Sequence, residues 1–361
     1  MGASLSRRAL ILVVLGVVVA SHTAAQPFTE FTIPTANSEP YGIAAGSDGN
    51  LWFTEGTSNK IGRISPSGVI AEFAVHSPAS LPSGIVAGPD GNLWFTEFGL
   101  TRFDGNKIGK ITTSGTITEY VIPTANSGSI RIAAGPDGNL WFTEGFGNKI
   151  GRITTLGTVT EFDVPTVNSQ PTGIAGGPDG NLWFVELAAN KIGRITTLGV
   201  ITEFIVPGVG KYLSNIALGS DGNLWFTEYG TAFGPANNLI LDEYGGITQL
   251  DSSSDGNKIG RITTSGNITE YVIPTANSGP FDIAAGPDGN LWFTEVLANK
   301  IGRIATSGNI TEYVVPTANS GPTGVAATPE AVWFTELYET TGNKIGRFSV
   351  AATRHRAVRH F

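Results

Sequence analysis

Leu51-Trp52-Phe53-Thr54-Glu55 is the stretch whose reading decides the fold. Close copies begin at Leu93, Leu140, Leu182, Leu224, Leu291 and Val332, and every one of the seven tryptophans sits in one of them. A second phrase, Asn-Lys-Ile-Gly-Arg, follows each copy, starting at Asn59, Asn106, Asn148, Asn190, Asn257, Asn299 and Asn343, with Lys110 replacing the arginine once. Leucine, or valine at Val332, and phenylalanine flank each tryptophan, so both faces of the stretch are apolar. That is the pattern of a strand buried on both sides. Each indole buries on the order of 150–250 Å² in such a place, so the tryptophans are expected to be packing between repeats rather than a stacking platform.

Outward from this phrase, one repeat has four short apolar runs separated by Gly, Pro, Asn and Asp clusters. Around Trp141 these are Ile130–Ala134, the Leu140 phrase, Lys149 to Thr154 and Thr158 to Val164. Four short antiparallel strands per repeat of this length predict a β-propeller blade. The tryptophans are 42, 47, 42, 42, 67 and 41 residues apart. The long gaps come from loops between the Glu that ends one phrase and the Asn that begins the next, so the underlying period is constant. The expected fold is all-β: one seven-bladed β-propeller of four-stranded antiparallel blades over residues 26–350. The last repeat lacks an outermost strand, and residues 28–33 match that strand in the other repeats. The mature N-terminal strand is therefore expected to close the ring and remove the open edges.

The chain has 361 residues with 48 Gly, 20 Pro and no Cys, so neither a disulfide nor a thiolate metal site is available. Arg7 and Arg8 before an apolar run, with Thr23-Ala24-Ala25 before Gln26, predict a signal peptide over residues 1–25 and export to the periplasm or the extracellular space. The paired arginines also have a twin-arginine look. The apolar run is too short to span a bilayer. Removing Arg7 and Arg8 from the 22 Lys and Arg leaves 20 against 30 Asp and Glu, a surface that repels nucleic acid. Residues 351–361 form a basic tail, expected to be a frayed terminus.

In a four-stranded blade, the loop before the first strand and the loop between the second and third share a face. The long loops are all of the second kind: from Phe98 to Gly105, from Tyr229 to Gly256 and from Leu337 to Gly342. They mark the face expected to meet a small molecule or a protein partner, with the chain itself a monomer. Glu55 and its six counterparts end their strands on that face. Two readings are open for them. They form an acidic ring able to bind a hard cation, or each pairs with the Lys or Arg of the strand that follows, which avoids seven unpaired like charges.

With Gly-Pro-Asp-Gly-Asn-Leu-Trp-Phe-Thr-Glu, Asn-Lys-Ile-Gly-Arg-Ile and Ile-Thr-Glu-Tyr-Val-Ile-Pro read, the chain resembles the streptogramin lyase (virginiamycin B lyase) family over residues 28–350. The resemblance implies a seven-bladed propeller and opening of a cyclic depsipeptide ester by elimination, with a divalent metal such as Mg²⁺. The family pattern is Glu-x-His in a first strand, a Glu sixteen residues after the first Glu, and a second His one blade earlier. Here Glu39 and Glu55 keep that spacing and imply metal ligands, while Tyr41 takes the position of the catalytic His. The corresponding positions Ser83, Ile130, Thr172, Ser214, Phe281 and Thr323 hold no His either; the four His are His22, His76, His355 and His360. A tyrosine with an ordinary pKa near ~10 is a poor base at neutral pH. The chain is therefore expected to be an exported binding or interaction module with an unidentified ligand. The alternative is a metal-dependent carbon-oxygen lyase or hydrolase of a cyclic ester that uses Glu39, Tyr41 and Glu55.

Overall fold

A computed structural model describes residues 28–99, 105–208, 211–230, 256–338 and 341–350. The signal peptide and basic tail predicted from the sequence lie outside these residues, as do the interiors of the loops after Phe98 and Tyr229. In the described residues the chain folds into seven sheets, each of four antiparallel strands. The first blade is β2 (Pro40–Ala45), β3 (Leu51–Glu55), β4 (Lys60–Ile64) and β5 (Ile70–Ala74), and the next five repeat that order. The last blade is β26 (Pro322–Thr328), β27 (Ala331–Glu336), β28 (Lys344–Ser349) and, as its outer strand, β1 (Phe28–Thr32). β1 pairs with β28 from Phe28 opposite Phe348 to Thr32 opposite Lys344. The ring is thus closed by the N-terminal strand, as the missing outer strand of the last repeat predicts. No helix among the described residues is long and apolar enough to cross a membrane.

The core lies between blades. Leu51 and Phe53 pack against Trp333 and Ile345 of the last blade, while Trp52 and Ile61 pack against Ile85, Leu93 and Phe95 of the second. Alternation along one strand therefore hands each tryptophan to the blade that follows it. Each indole is fully buried. Around Trp183 the ring of Phe204 stacks at 5.4 Å and the Arg194 guanidinium lies 5.6 Å from the ring centroid. The indole N–H donates to Asp179 Oδ1 at 3.1 Å, so the Asp-Gly turn does more than reverse the chain. The last blade has Pro329-Glu330 instead of that turn, and Trp333 Nε1 is left without an acceptor.

Two repeated residues hold the scaffold together. Gly62 and its counterparts lie under a phenylalanine ring: a Cβ there would stand 2.1 Å from Phe53 Cζ. Asn59, in the left-handed region at φ 56°, accepts from Ser80 N at 2.9 Å and donates to Ser77 O at 2.7 Å. It ties the linker that enters the next blade. Asn343 does the same for the closing strand, accepting from Ser38 N at 2.8 Å and donating to Thr35 O at 2.9 Å.

Candidate functional site

The glutamates that end the second strands do not pair with the following Lys or Arg as a rule, which corrects the second of the two readings open from the sequence. Lys60 reaches Glu72 on the outer strand at 3.2 Å, and Lys107, Lys191, Lys300 and Lys344 likewise take outer-strand carboxylates. Register places Lys60 opposite Glu55 and Gly62 opposite Glu72, so both carboxylates are within reach on one face. Glu72 and Lys60 both keep some contact with water, whereas Glu55 is fully buried. Pairing outward spares the ammonium the cost of full desolvation. The arginines lie over the indoles instead, as Arg63 does at 5.5 Å from Trp52.

The strand-end carboxylates are left dry. Both oxygens of Glu97, Glu144, Glu186, Glu295 and Glu336 lack a hydrogen-bond donor in good geometry, and Glu55 has one, Ser58 Oγ on Oε2 at 3.0 Å. Burial, and secondarily the charge of the outer-strand Glu119, pushes Glu97 up to about 8. The same two causes, with Glu72 as the neighbour, raise Glu55 to about 7. Glu228 departs from the rule. Lys211, where other linkers carry the serine of Ser38 and Ser80, lies 3.1 Å from Glu228 Oε2 and also pairs with Glu270, with its side chain only 1 % exposed. It takes the serine's place beneath Asn190, whose Oδ1 is consequently without a donor.

Of the residues singled out by the family spacing, Glu39 and Tyr41 line one cavity, together with Leu81, Phe98 and Leu337. Phe98 and Leu337 begin two of the long loops, and Tyr229, which begins the third, packs with Tyr41 and Phe281 in one apolar cluster. The first residues of all three long loops therefore lie near Tyr41. Glu55 is not brought into that cavity. It pairs in register with Pro40 and lies buried below it. Among the described residues no three His, Asp or Glu side chains converge to hold a metal. The bare Oε1 of Glu55 is no special sign of a cation either. It recurs at the other six strand-end glutamates, whose blades carry Leu81, Gly128, Gln170, Tyr212, Gly279 and Gly321 where the first carries Glu39. Mg²⁺ asks for near-octahedral oxygen ligation, and the donors that the described residues bring together here do not supply it.

The more developed feature is one that the repeat pattern conceals. At the position after Tyr41, four blades carry Gly42, Gly84, Gly173 and Gly324, and neighbouring inner strands come so close that a Cβ on Gly42 would stand 2.5 Å from Ser83 O. The other three blades carry Arg131, Asn215 and Asp282, and these converge in the central channel. Arg131 Nη1 lies 3.9 Å from Asp282 Oδ2. Its guanidinium lies 4.9 Å from the Tyr41 ring centroid and 5.6 Å from that of Phe281, within cation–π range of both. Asp282 accepts from Asn215 Nδ2, from Ile283 N at 2.9 Å and from Val325 N at 3.0 Å. Arg131 lines two cavities and forms the partition between them. On the side of the loops between second and third strands is a chamber walled by Tyr41, Phe281, Phe146, Leu187 and Ile130. On the other is a channel segment lined by Asn215, Asp282 and isoleucines of the inner strands. Sequence reading missed Arg131, Asn215 and Asp282; the available signal was three breaks in a column of glycines.

Fold and site together define a seven-bladed β-propeller with an aromatic chamber at the mouth of its channel. The model of the virginiamycin B lyase family matches residues 16–234 and 251–356, and the chain belongs to that family. A virginiamycin B lyase of Bacillus licheniformis is 45 % identical over 42 residues, a stretch spanning 12 % of this chain and 14 % of that protein. The structure of a catalytically inactive histidine-to-alanine form of the Staphylococcus aureus virginiamycin B lyase with quinupristin is 38 % identical. It has a TM-score of 0.78 and covers 90 % of this chain and 99 % of its own. A streptogramin B lyase structure is 39 % identical, with a TM-score of 0.76, covering 89 % of this chain and 96 % of its own. The extracellular domain of a putative one-component system of B. thetaiotaomicron shares the fold at 14 % identity and a TM-score of 0.60, covering 87 % of this chain and 41 % of its own.

Proposed function

We propose that this chain is a ligand-binding propeller whose site is the chamber at the channel mouth, and that it has departed from the lyase chemistry of its relatives. What supports this reading is Tyr41, which stands where the family resemblance would place a His and forms part of an aromatic wall. Tyr41 stands edge-on to Phe281 at 5.7 Å and is covered by Arg131. General-base catalysis needs a group that takes a proton near neutral pH. The only histidine among the described residues, His76, is exposed on the linker between the first two blades. The relative described as catalytically inactive carries a histidine-to-alanine change, which supports the view that such a propeller holds ligand without turning it over. The chamber is walled mostly by apolar and aromatic side chains with a few polar groups, Arg131, Gln170, Thr172 and Ser214, which is the usual make-up of a small-molecule site. Saturation-transfer NMR with phenylacetamide as probe tests the reading. Saturable transfer is expected, and it is weakened by Phe281→Ala and by Phe146→Ala, the second at a half-exposed wall position that folding tolerates. No saturable transfer to the unaltered protein overturns it.

A further inference from the structure

Among the described residues, Arg131 is a cation whose hydrogen-bonding capacity is incompletely used. The residue is 9 % exposed, yet among the described residues no oxygen accepts a hydrogen bond from its guanidinium. Asp282 is close enough to attract it at 3.9 Å but too far to accept from it. The Asp282 oxygens are already engaged by Asn215 and two backbone N–H groups. The charge of Asp282 is thus partly met from its own side, while Arg131 also lines the aromatic chamber. The guanidinium nitrogens of Arg131 are not among the sealed polar atoms that lack partners, whereas Arg152, Arg261 and Arg347 each contribute one. The donors of Arg131 are therefore reachable from the cavity rather than sealed in protein.

A planar fork of donors at the base of an aromatic pocket matches one ligand chemistry above others. A carboxylate takes two parallel N–H bonds from a guanidinium, and such charge-assisted bonds are the strong ones. The walls above the fork are Tyr41, Phe281, Phe146 and Leu187, which suit a ring or a branched apolar group. We propose that the chamber binds small amphiphilic carboxylates, with the carboxylate on Arg131 and the apolar part between Tyr41, Phe281 and Leu187. This rests on the chamber being a binding site, as argued above, and adds the charge of its ligand. Asp282 opposes an anion through space, so it moderates affinity. The position is specific to this chain's third blade: Gly42, Gly84, Gly173 and Gly324 offer no such group.

The test compares phenylacetate with phenylacetamide, which differ only in the head group. Titrations followed by saturation-transfer NMR are run on the unaltered protein and on Arg131→Gln, Arg131→Lys and Asp282→Asn. A charge-assisted pair in a partly desolvated site is expected to favour phenylacetate about tenfold or more. Arg131→Gln abolishes that preference and leaves phenylacetamide binding, Arg131→Lys retains part of it, and Asp282→Asn strengthens phenylacetate binding. Because Arg131→Gln leaves Asp282 without its cation, the double variant with Asp282→Asn is measured beside it and is expected to have lost the preference as well. Equal affinity for both probes, or a preference that survives in the double variant, overturns the carboxylate assignment and leaves the chamber as a binding site. Absence of binding by either probe overturns both.

Discussion

Replacing Glu97 by glutamine tests the dry carboxylates, and its effect has a defined sign. Glu97 is fully buried, and desolvation together with the Glu119 charge raises it from 4.5 to about 8. The folded protein therefore holds a proton there that the unfolded chain releases near 4.5. Stability from this group is complete below pH 4.5, falls as pH rises through about 8, and is then lost. At ~1.4 kcal/mol per pH unit the ceiling for one such group is about 5 kcal/mol. Relaxation and water entry reduce this, and ~2 kcal/mol is a realistic expectation. Glutamine has nearly the volume of protonated glutamate and no charge to lose. Urea unfolding of the two proteins at pH 5 and pH 9 isolates the effect, because any cost of the amide itself appears at both pH values and cancels. The stability difference between variant and parent is expected to move by ~2 kcal/mol in favour of glutamine between pH 5 and pH 9. An unchanged difference, or one that moves against glutamine, refutes the account of a neutral buried acid. Movement against glutamine only with Mg²⁺ present shows a cation held at that carboxylate instead.

Trp183→Ala removes a fully buried indole with its stacking, cation–π and Asp179 contacts, and is expected to cost ~3–5 kcal/mol by urea unfolding. A loss below 1 kcal/mol contradicts the packing between blades. Lys211→Met strands two carboxylates, Glu228 and Glu270, of which the second keeps Lys258 at 3.0 Å. A loss of ~3 kcal/mol is expected at pH 8. The loss shrinks at pH 5, where Glu228, raised to about 7 chiefly by burial, takes up a proton. Deleting residues 28–33 removes β1 and uncovers the edge of β28. Lower thermal stability and self-association on size exclusion are expected; an unchanged monomer contradicts closure by this strand.

The fold was legible because every blade needs the same residues for the same reason. Trp52 must bury against its neighbour, Gly62 must admit the Phe53 ring and Asn59 must hold the next linker. Each requirement therefore appears seven times in the sequence. The strand-end Glu was legible as a recurrent feature but not in its partner. Lys60 can reach two carboxylates on one face, and the outcome turns on which of them keeps contact with water, a property of depth that spacing does not carry. The Glu39, Tyr41 and Glu55 set divided for a related reason. Glu39 and Tyr41 border the channel mouth, while Glu55 continues the buried face of Leu51 and Phe53. Arg131, Asn215 and Asp282 were hidden in the opposite way: each occurs once, they are far apart in sequence, and only the closed ring brings them together.

The account stands or falls on the proposal that this propeller, with no histidine at Tyr41 or its six counterparts, holds ligand without breaking an ester. Incubating the purified protein with a type B streptogramin and Mg²⁺, with mass spectrometry of the antibiotic over time, tests this most directly. The cyclic ester is expected to remain intact at every time point. Linear product that forms with the unaltered protein and disappears with Glu39→Gln would contradict the account and restore the lyase reading.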